Sequence, residues 1–343
     1  MSETARLPLH IVTGFLGAGK TSLINRLLRA PELAGTLVMV NEWGEIGLDH
    51  LLFETIADDV ILLASGCLCC TLRGDLIDGL HDVLRRREAR ATAGFARVMV
   101  ETSGLADPAP ILHALLADPT LWRRMELANV TTVVDAVNGE ATLGSHAEAR
   151  RQVAVADRIA LSKADLVVSL ASLRAALREI NPIAPILDVA AGEFDARDFL
   201  ADPVALPFSA RATRMSAHGG SVRARAFTTN EPIGAPAVGR FLAALNERLG
   251  PRLLRVKGLI ATRESPDRPL LVQGAQHVLH PPRRLPAWPD GSRETRLVVI
   301  SDGLESSVIE DLWRALVDIP AIDRPDLAAL TDNPLAPRPG GLF

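Results

Sequence analysis

The segment Gly14-Phe-Leu-Gly-Ala-Gly-Lys20-Thr21, set between the apolar run LHIVT (9–13) and the amphipathic run SLINRLL (22–28), constrains the fold more than any other part of the chain. It has the form G-x-x-x-x-G-K-[ST], and a strand before it with a helix after it is the context in which that form cradles phosphate. Gly14, Gly17 and Gly19 let the backbone N–H groups of the loop, Ala18 included, turn inward around a β-phosphate. The helix N-terminus that opens over Lys20 to Ser22 adds a favourable field. Lys20 supplies a point charge for the β- and γ-phosphates, and the Thr21 hydroxyl is a ligand for Mg²⁺.

The rest of the chain supports that reading. Short β-rich runs at 9–13, 36–41, 60–64, 97–101, 130–135, 158–162 and 185–189 alternate with helix-length segments. Several are almost entirely apolar, as strands covered on both faces must be. The expected fold is α/β: a mostly parallel P-loop sheet with helices on both faces, followed by a smaller α+β domain. After residue 190 the rhythm changes, and 203–221 is rich in Pro, Gly and Ser without a period. Strand-like runs at 222–227, 253–261, 270–279 and 295–301, with amphipathic segments at 236–248 and 305–317, predict the second domain. The predicted organisation is 1–203, a linker at 204–221, a C-terminal domain at 222–325 and a frayed tail at 326–343.

Composition excludes several classes. The 343 residues are 48% hydrophobic and 23% charged with a formal charge of −4, so there is no general attraction to nucleic acid or to an anionic membrane. No run reaches the roughly 20 apolar residues of a bilayer span, and the first residues lack a signal-peptide pattern, which predicts a cytoplasmic protein. A small molecule or a protein partner fits better.

A second nucleotide element is expected at RVMVETSG (97–104). Glu101 ends a strand where it can hold Mg²⁺ directly or through water, and Gly104 can approach the γ-phosphate. At the end of the run RIALS, Ser162-Lys163-Ala164-Asp165 approximates N-K-x-D. A carboxylate at Asp165 accepts from guanine N1 and N2 and rejects adenine, which has no matching donor pair. Ser162 is shorter than Asn, which predicts looser bracing of that loop.

All three cysteines, Cys67, Cys69 and Cys70, fall within four residues. They cannot staple a fold, and in a reducing compartment they read as metal ligands or reactive thiols. Thiolates here favour Zn²⁺ or, with less preference, Co²⁺. Adjacent Cys69 and Cys70 can diverge, so two thiolates with outside ligands stand beside three.

Together these residues resemble the CobW-like G3E P-loop GTPases, the metallochaperone and metal-insertion GTPases. The resemblance rests on GFLGAGKTSLINRLL (14–28), NEWGEIGLD (41–49), GCLCCTLR (66–73), ETSGLADPAP (101–110), VVDA (133–136), ADRIALSKADL (156–166), RVKGLI (255–260) and VQGAQHVLHPP (272–282). It implies Mg²⁺-GTP and a divalent transition metal bound together. It also implies a nucleotide-responsive switch at Asn41 to Gly47, where Trp43 replaces the usual Phe and Glu42 is an acidic candidate ligand for the metal or Mg²⁺. The His-rich linker of some relatives is absent, since the linker holds only His218.

The sequence therefore predicts GTP hydrolysis coupled to delivery of zinc or cobalt to a client metalloprotein or a cobalamin-type pathway enzyme. Lys20 and Glu101 carry the catalytic roles. A homo-oligomer is compatible with the chain. Two other readings stand beside this one: a P-loop ATPase or kinase with structural cysteines, and a non-catalytic nucleotide-gated scaffold.

Overall fold

The computed structural model describes residues 6–41, 60–63, 71–89, 94–108, 112, 114–115, 118–201, 222–275, 278–279, 282–289, 291–303 and 306–317. Seven strands form one sheet: β1 (Leu7–Thr13), β2 (Thr36–Asn41), β3 (Val60–Leu63), β4 (Arg97–Thr102), β5 (Met125–Asp135), β6 (Arg158–Ser162) and β7 (Ile186–Asp188). Their order is β3-β2-β4-β1-β5-β6-β7, and every pairing is parallel. The chain reverses direction across the sheet at β1, which lies between β4 and β5. That is the switch point where open parallel sheets bind ligands, at the carboxyl ends of their strands.

Period-2 alternation builds two separate cores. Val12, Val38, Val40, Met99, Val133 and Ala160 pack with Leu23, Ile24 and Leu27 of helix α1 (Lys20–Leu28) and Phe199 of α7 (Ala196–Leu200). Their neighbours Ile11, Met39, Val98, Val100, Val134 and Leu161 face the other way. There they meet α2 (Thr71–Glu88), α4 (Gly139–Ser145), α5 (Ala147–Val155) and α6 (Ala171–Ile180). Near-continuous apolar strands are what a sheet buried on both faces demands.

Strand β5 begins at Met125, five residues before the apolar run that marked it in the sequence. Glu126 and Asn129 break the apolar pattern. Pairing of Leu7 with Met125 and of Pro8 with Glu126 nevertheless continues the ladder. Asn129 is buried with its amide hydrogen-bonded to His10 and to the Phe199 carbonyl. Helix α3 (Pro119–Arg124) runs directly into it, capped by Asp118, which accepts from the N–H groups of Thr120 and Leu121.

The second sheet is antiparallel. Strands β8 (Val222–Thr229), β9 (Leu253–Thr262), β10 (Ser265–Ala275), β11 (Val278–Leu279) and β13 (Thr295–Asp302) run in the order β11-β10-β9-β13-β8, with β12 (Arg283–Arg284) paired to β10. One face carries Val256, Leu297 and Val299 against α8 (Ala235–Leu249) and α9 (Ser306–Leu316). The other face, with Val298 and Ile300, joins the core that contains α5 and α6. The smaller sheet is thus a layer between its own helices and the first unit. The pattern β-α-β-β-β-α expected from sequence is present; the run 270–279 contains the end of β10, which begins earlier at Ser265, and all of β11, and β12 is an addition. Among the described residues no helix is long and apolar enough to cross a membrane.

Candidate nucleotide and metal site

The carboxyl ends of β1, β4, β5 and β6 bring the expected nucleotide residues to one edge. The loop leaving β1 has three glycines at positive φ, Gly14 at 144°, Gly17 at 73° and Gly19 at 90°, where L side chains are strained. Gly19 is the N-cap of α1 and provides no side-chain hydrogen bond to it, so the first N–H groups of the helix are left for an anion. Lys20 is buried at the start of α1, and Ser22 is exposed one residue after Thr21.

Thr21, on α1, meets Glu101, near the end of β4. The Thr21 hydroxyl donates to Glu101 Oε1 at 2.8 Å, and Glu101 is buried. Hard oxygen donors in this position, beside the phosphate loop, suit Mg²⁺. Gly104 is pressed against the loop: a Cβ built there would lie 2.7 Å from both the Leu16 Cα and N and 3.1 Å from Lys20 Nζ. Only a glycine lets the segment after β4 approach the loop so closely.

The Ser162–Asp165 segment braces the same loop. The Ser162 hydroxyl donates to the Ala18 carbonyl at 2.6 Å, so the shorter side chain still reaches the phosphate loop. Lys163 takes a left-handed conformation at φ 55°. Its ammonium donates to the Gly17 carbonyl at 3.0 Å and to Asp135 Oδ2 at 2.7 Å. Asp165 lies in the following 3-10 turn, Ala164–Leu166, and is exposed.

Asp135 is the residue that sequence reasoning passed over within the VVDA run. It ends β5, pairs in register with Ser162, and also accepts from the N–H of Val137 at 2.8 Å and from Asn138 Nδ2 at 3.1 Å. Burial pushes its carboxyl up, but the hydrogen bonds from Lys163, Asn138 and the backbone outweigh this and hold it below the usual carboxylate range. Gln152 on α5 was also missed. Its amide donates to the carbonyls of Gly104 at 3.2 Å and Ala106 at 3.0 Å, anchoring the segment after β4. A cavity of about 270 Å³ opens beneath the loop, lined by Phe15, Leu16, Val133, Asn138, Leu143 and Gln152.

The remaining expected site residues, Glu42, Cys67, Cys69 and Cys70, lie outside the described residues, as do His218 and the 204–221 linker. Strand β3 pairs with β2 as far as Leu63, the last residue of β3, at the edge that carries the phosphate loop. Among the described residues no group of three or more His, Cys, Asp or Glu side chains gathers to hold a metal.

Residues 8–188 match the family described as CobW/HypB/UreG, nucleotide-binding domain. The chain belongs to the CobW/HypB/UreG family. Residues 222–317 match the cobalamin synthesis protein cobW C-terminal domain, a match that begins at the first residue of β8. Among family members, the zinc chaperone YjiA of Escherichia coli (strain K12) is 29% identical over 90% of this chain and 98% of its own length. The zinc chaperone CobW of Pseudomonas aeruginosa is 32% identical, with 92% of each chain covered. The crystal structure of Zn(II)-bound YjiA GTPase superposes with a TM-score of 0.71 at 25% identity, covering 91% of this chain and 99% of that one.

Proposed function

We propose that this chain is a GTP-hydrolysing metallochaperone that takes a divalent transition metal, zinc, onto the cysteine segment and releases it to a client protein under nucleotide control. The observation that carries the reading is the Thr21–Glu101 hydrogen bond of 2.8 Å at the uncapped start of α1, with Gly104 packed on the loop. That arrangement is what a site needs to sense a γ-phosphate and its Mg²⁺ together.

In this reading Lys20 and the loop N–H groups, Ala18 among them, stabilise the charge that develops on the phosphates during in-line attack by water. Thr21 and Glu101 would hold Mg²⁺, which would neutralise phosphate charge. Ser162 and Lys163 keep the loop in shape, and the Asp165 carboxylate reads guanine. Asp165→Asn therefore weakens GTP by at least about tenfold while leaving ATP binding nearly unchanged, measured by competition binding.

The zinc assignment draws on the names of the E. coli and P. aeruginosa relatives and on the soft donor set of Cys67, Cys69 and Cys70. Cytoplasmic operation fits thiolates kept reduced for metal exchange. The two units, 1–203 and 222–325, would then divide the work between nucleotide chemistry and client docking. Zinc titration with and without Mg²⁺-GTP tests the coupling. Wild type binds zinc with nucleotide-dependent affinity, and the triple Cys→Ser variant keeps GTP but loses the tight site. Equal zinc affinity in both proteins would end the proposal.

A further inference from the structure

At the opposite pole of the first sheet, where the strands begin, a cavity of about 380 Å³ is lined by residues of both sheets. His10, Arg97, Glu126 and Asn129 come from β1, β4 and β5, and Gln273 and Arg283 come from β10 and β12. None of these residues takes part in the nucleotide site.

The wall is rich in donors. The Asn129 amide nitrogen donates to the Phe199 carbonyl at 2.7 Å, which fixes the orientation of the amide. The same nitrogen lies 2.9 Å from His10 Nδ1, so Nδ1 accepts and the ring of a neutral His10 carries its proton on Nε2. His10 is only 3% exposed, and its Nε2 has no acceptor among the described residues. Arg97 uses Nη1 for the carbonyls of Glu32 and Ala34 and for Thr36 Oγ1. Its Nε and Nη2 have no acceptor among the described residues. Glu126, the carboxylate on the wall, is half-exposed and faces Arg6 at 3.9 Å.

Two guanidiniums and an imidazole N–H thus line a space within the size range of small-molecule sites. We propose that this cavity is a second ligand site, for a small oxyanion, carboxylate or phosphate, that bridges the two sheets. The planar forks of Arg97 and Arg283 suit either group. Burial disfavours the charged form of Arg97, and an anion beside it compensates. Because Gln273 and Arg283 approach from the second sheet, an occupied site ties the two units together far from the phosphate loop.

The test is calorimetric titration of the full chain with inorganic phosphate and, separately, with malonate. Ionic strength is held constant with chloride, and a non-hydrolysable GTP analogue with Mg²⁺ fills the phosphate loop. Saturable binding of either probe is expected, weakened by at least about tenfold in Arg97→Gln and in Arg283→Gln. The tighter probe identifies the source chemistry. Arg97 also holds carbonyls at the start of β2, so if Arg97→Gln fails to fold, Arg283→Gln decides. No saturable binding of either probe, or binding that Arg283→Gln leaves unchanged, overturns the proposal.

Discussion

Arg151 on α5 grips Asp302 at the end of β13 with two nitrogens, Nε at 3.0 Å and Nη2 at 2.8 Å from Oδ2. Its third nitrogen, Nη1, reaches Asp107 Oδ2 at 3.2 Å. One side chain therefore joins the second sheet to the segment that follows Gly104, and the next residue, Gln152, holds that same segment by its backbone. Burial pulls the Arg151 pKa down, and its two carboxylate partners reverse this and raise it. The pair is partly exposed, with 36% of the Arg151 side chain accessible, so screening limits its strength. Arg151→Met should cost about 1 kcal/mol, and a double-mutant cycle with Asp302→Asn should return a coupling of similar size. Urea unfolding of the four proteins measures it, and additive effects would mean that the contact contributes nothing.

Gly104→Ala tests the closeness of the phosphate loop to the segment that follows β4. The added methyl would sit 2.7 Å from Leu16 backbone atoms, and backbone cannot step aside as a flexible side chain can. The segment after β4 must move outward, away from where a γ-phosphate would lie. Turnover of GTP should fall by at least about tenfold with GDP affinity nearly retained, since only the triphosphate needs that segment. Parallel loss of GDP binding would show instead that the loop itself has collapsed.

Much of this arrangement was legible in the sequence because it is local. Strand β1, the glycine loop and α1 are contiguous, and the 3.6 and 2.0 periodicities marked most elements to within a residue or two. The start of β5 was not, because Asn129 looks like a loop residue until His10 and the Phe199 carbonyl, 119 and 70 residues away, are found beside it. Lys163 is expected at the nucleotide, and its described contacts, to Gly17 of the phosphate loop and to Asp135, are not visible in any spacing. Asp135 and Arg151 act through partners distant in sequence, and no spacing rule finds such pairs. The cavity lined by His10 and Arg283 exists only once two sheets have been placed together.

The contact between the units also contains a buried charge cluster. Asp157, at the start of β6, accepts from Arg255 and from Lys257 Nζ at 3.3 Å, both on β9, and from the Val130 N–H at 3.0 Å. Burial alone would raise the Asp157 carboxyl, but Arg255 and Lys257 lower it to about 2. A carboxyl lowered in the folded state stabilises it above its usual pKa of 3.8, and that contribution fades as pH falls from about 4 toward 2. Asp157→Asn leaves two buried cations without their counter-charge and should cost about 3–5 kcal/mol at neutral pH. Chemical unfolding at pH 7 checks the size, and a cost under about 1 kcal/mol would show that water reaches the cluster.

His10 gives a separate acid response at higher pH. Its ring is buried against Phe199, with centroids 4.9 Å apart, and burial lowers its pKa from 6.5 to about 4. A base whose pKa is lower in the folded chain takes up its proton preferentially when unfolded. Its contribution is therefore complete above pH 6.5 and is lost as pH falls toward 4. Over that window the loss attributable to this one ring is about 3 kcal/mol. It precedes the window of Asp157, so the two can be read apart. His10→Gln keeps a side-chain donor without a titrating ring, and it should flatten the stability profile between pH 6.5 and 4 while leaving the fall below pH 4 in place. A profile unchanged by the substitution would mean that another group titrates there, and that the ring is solvated despite its enclosure.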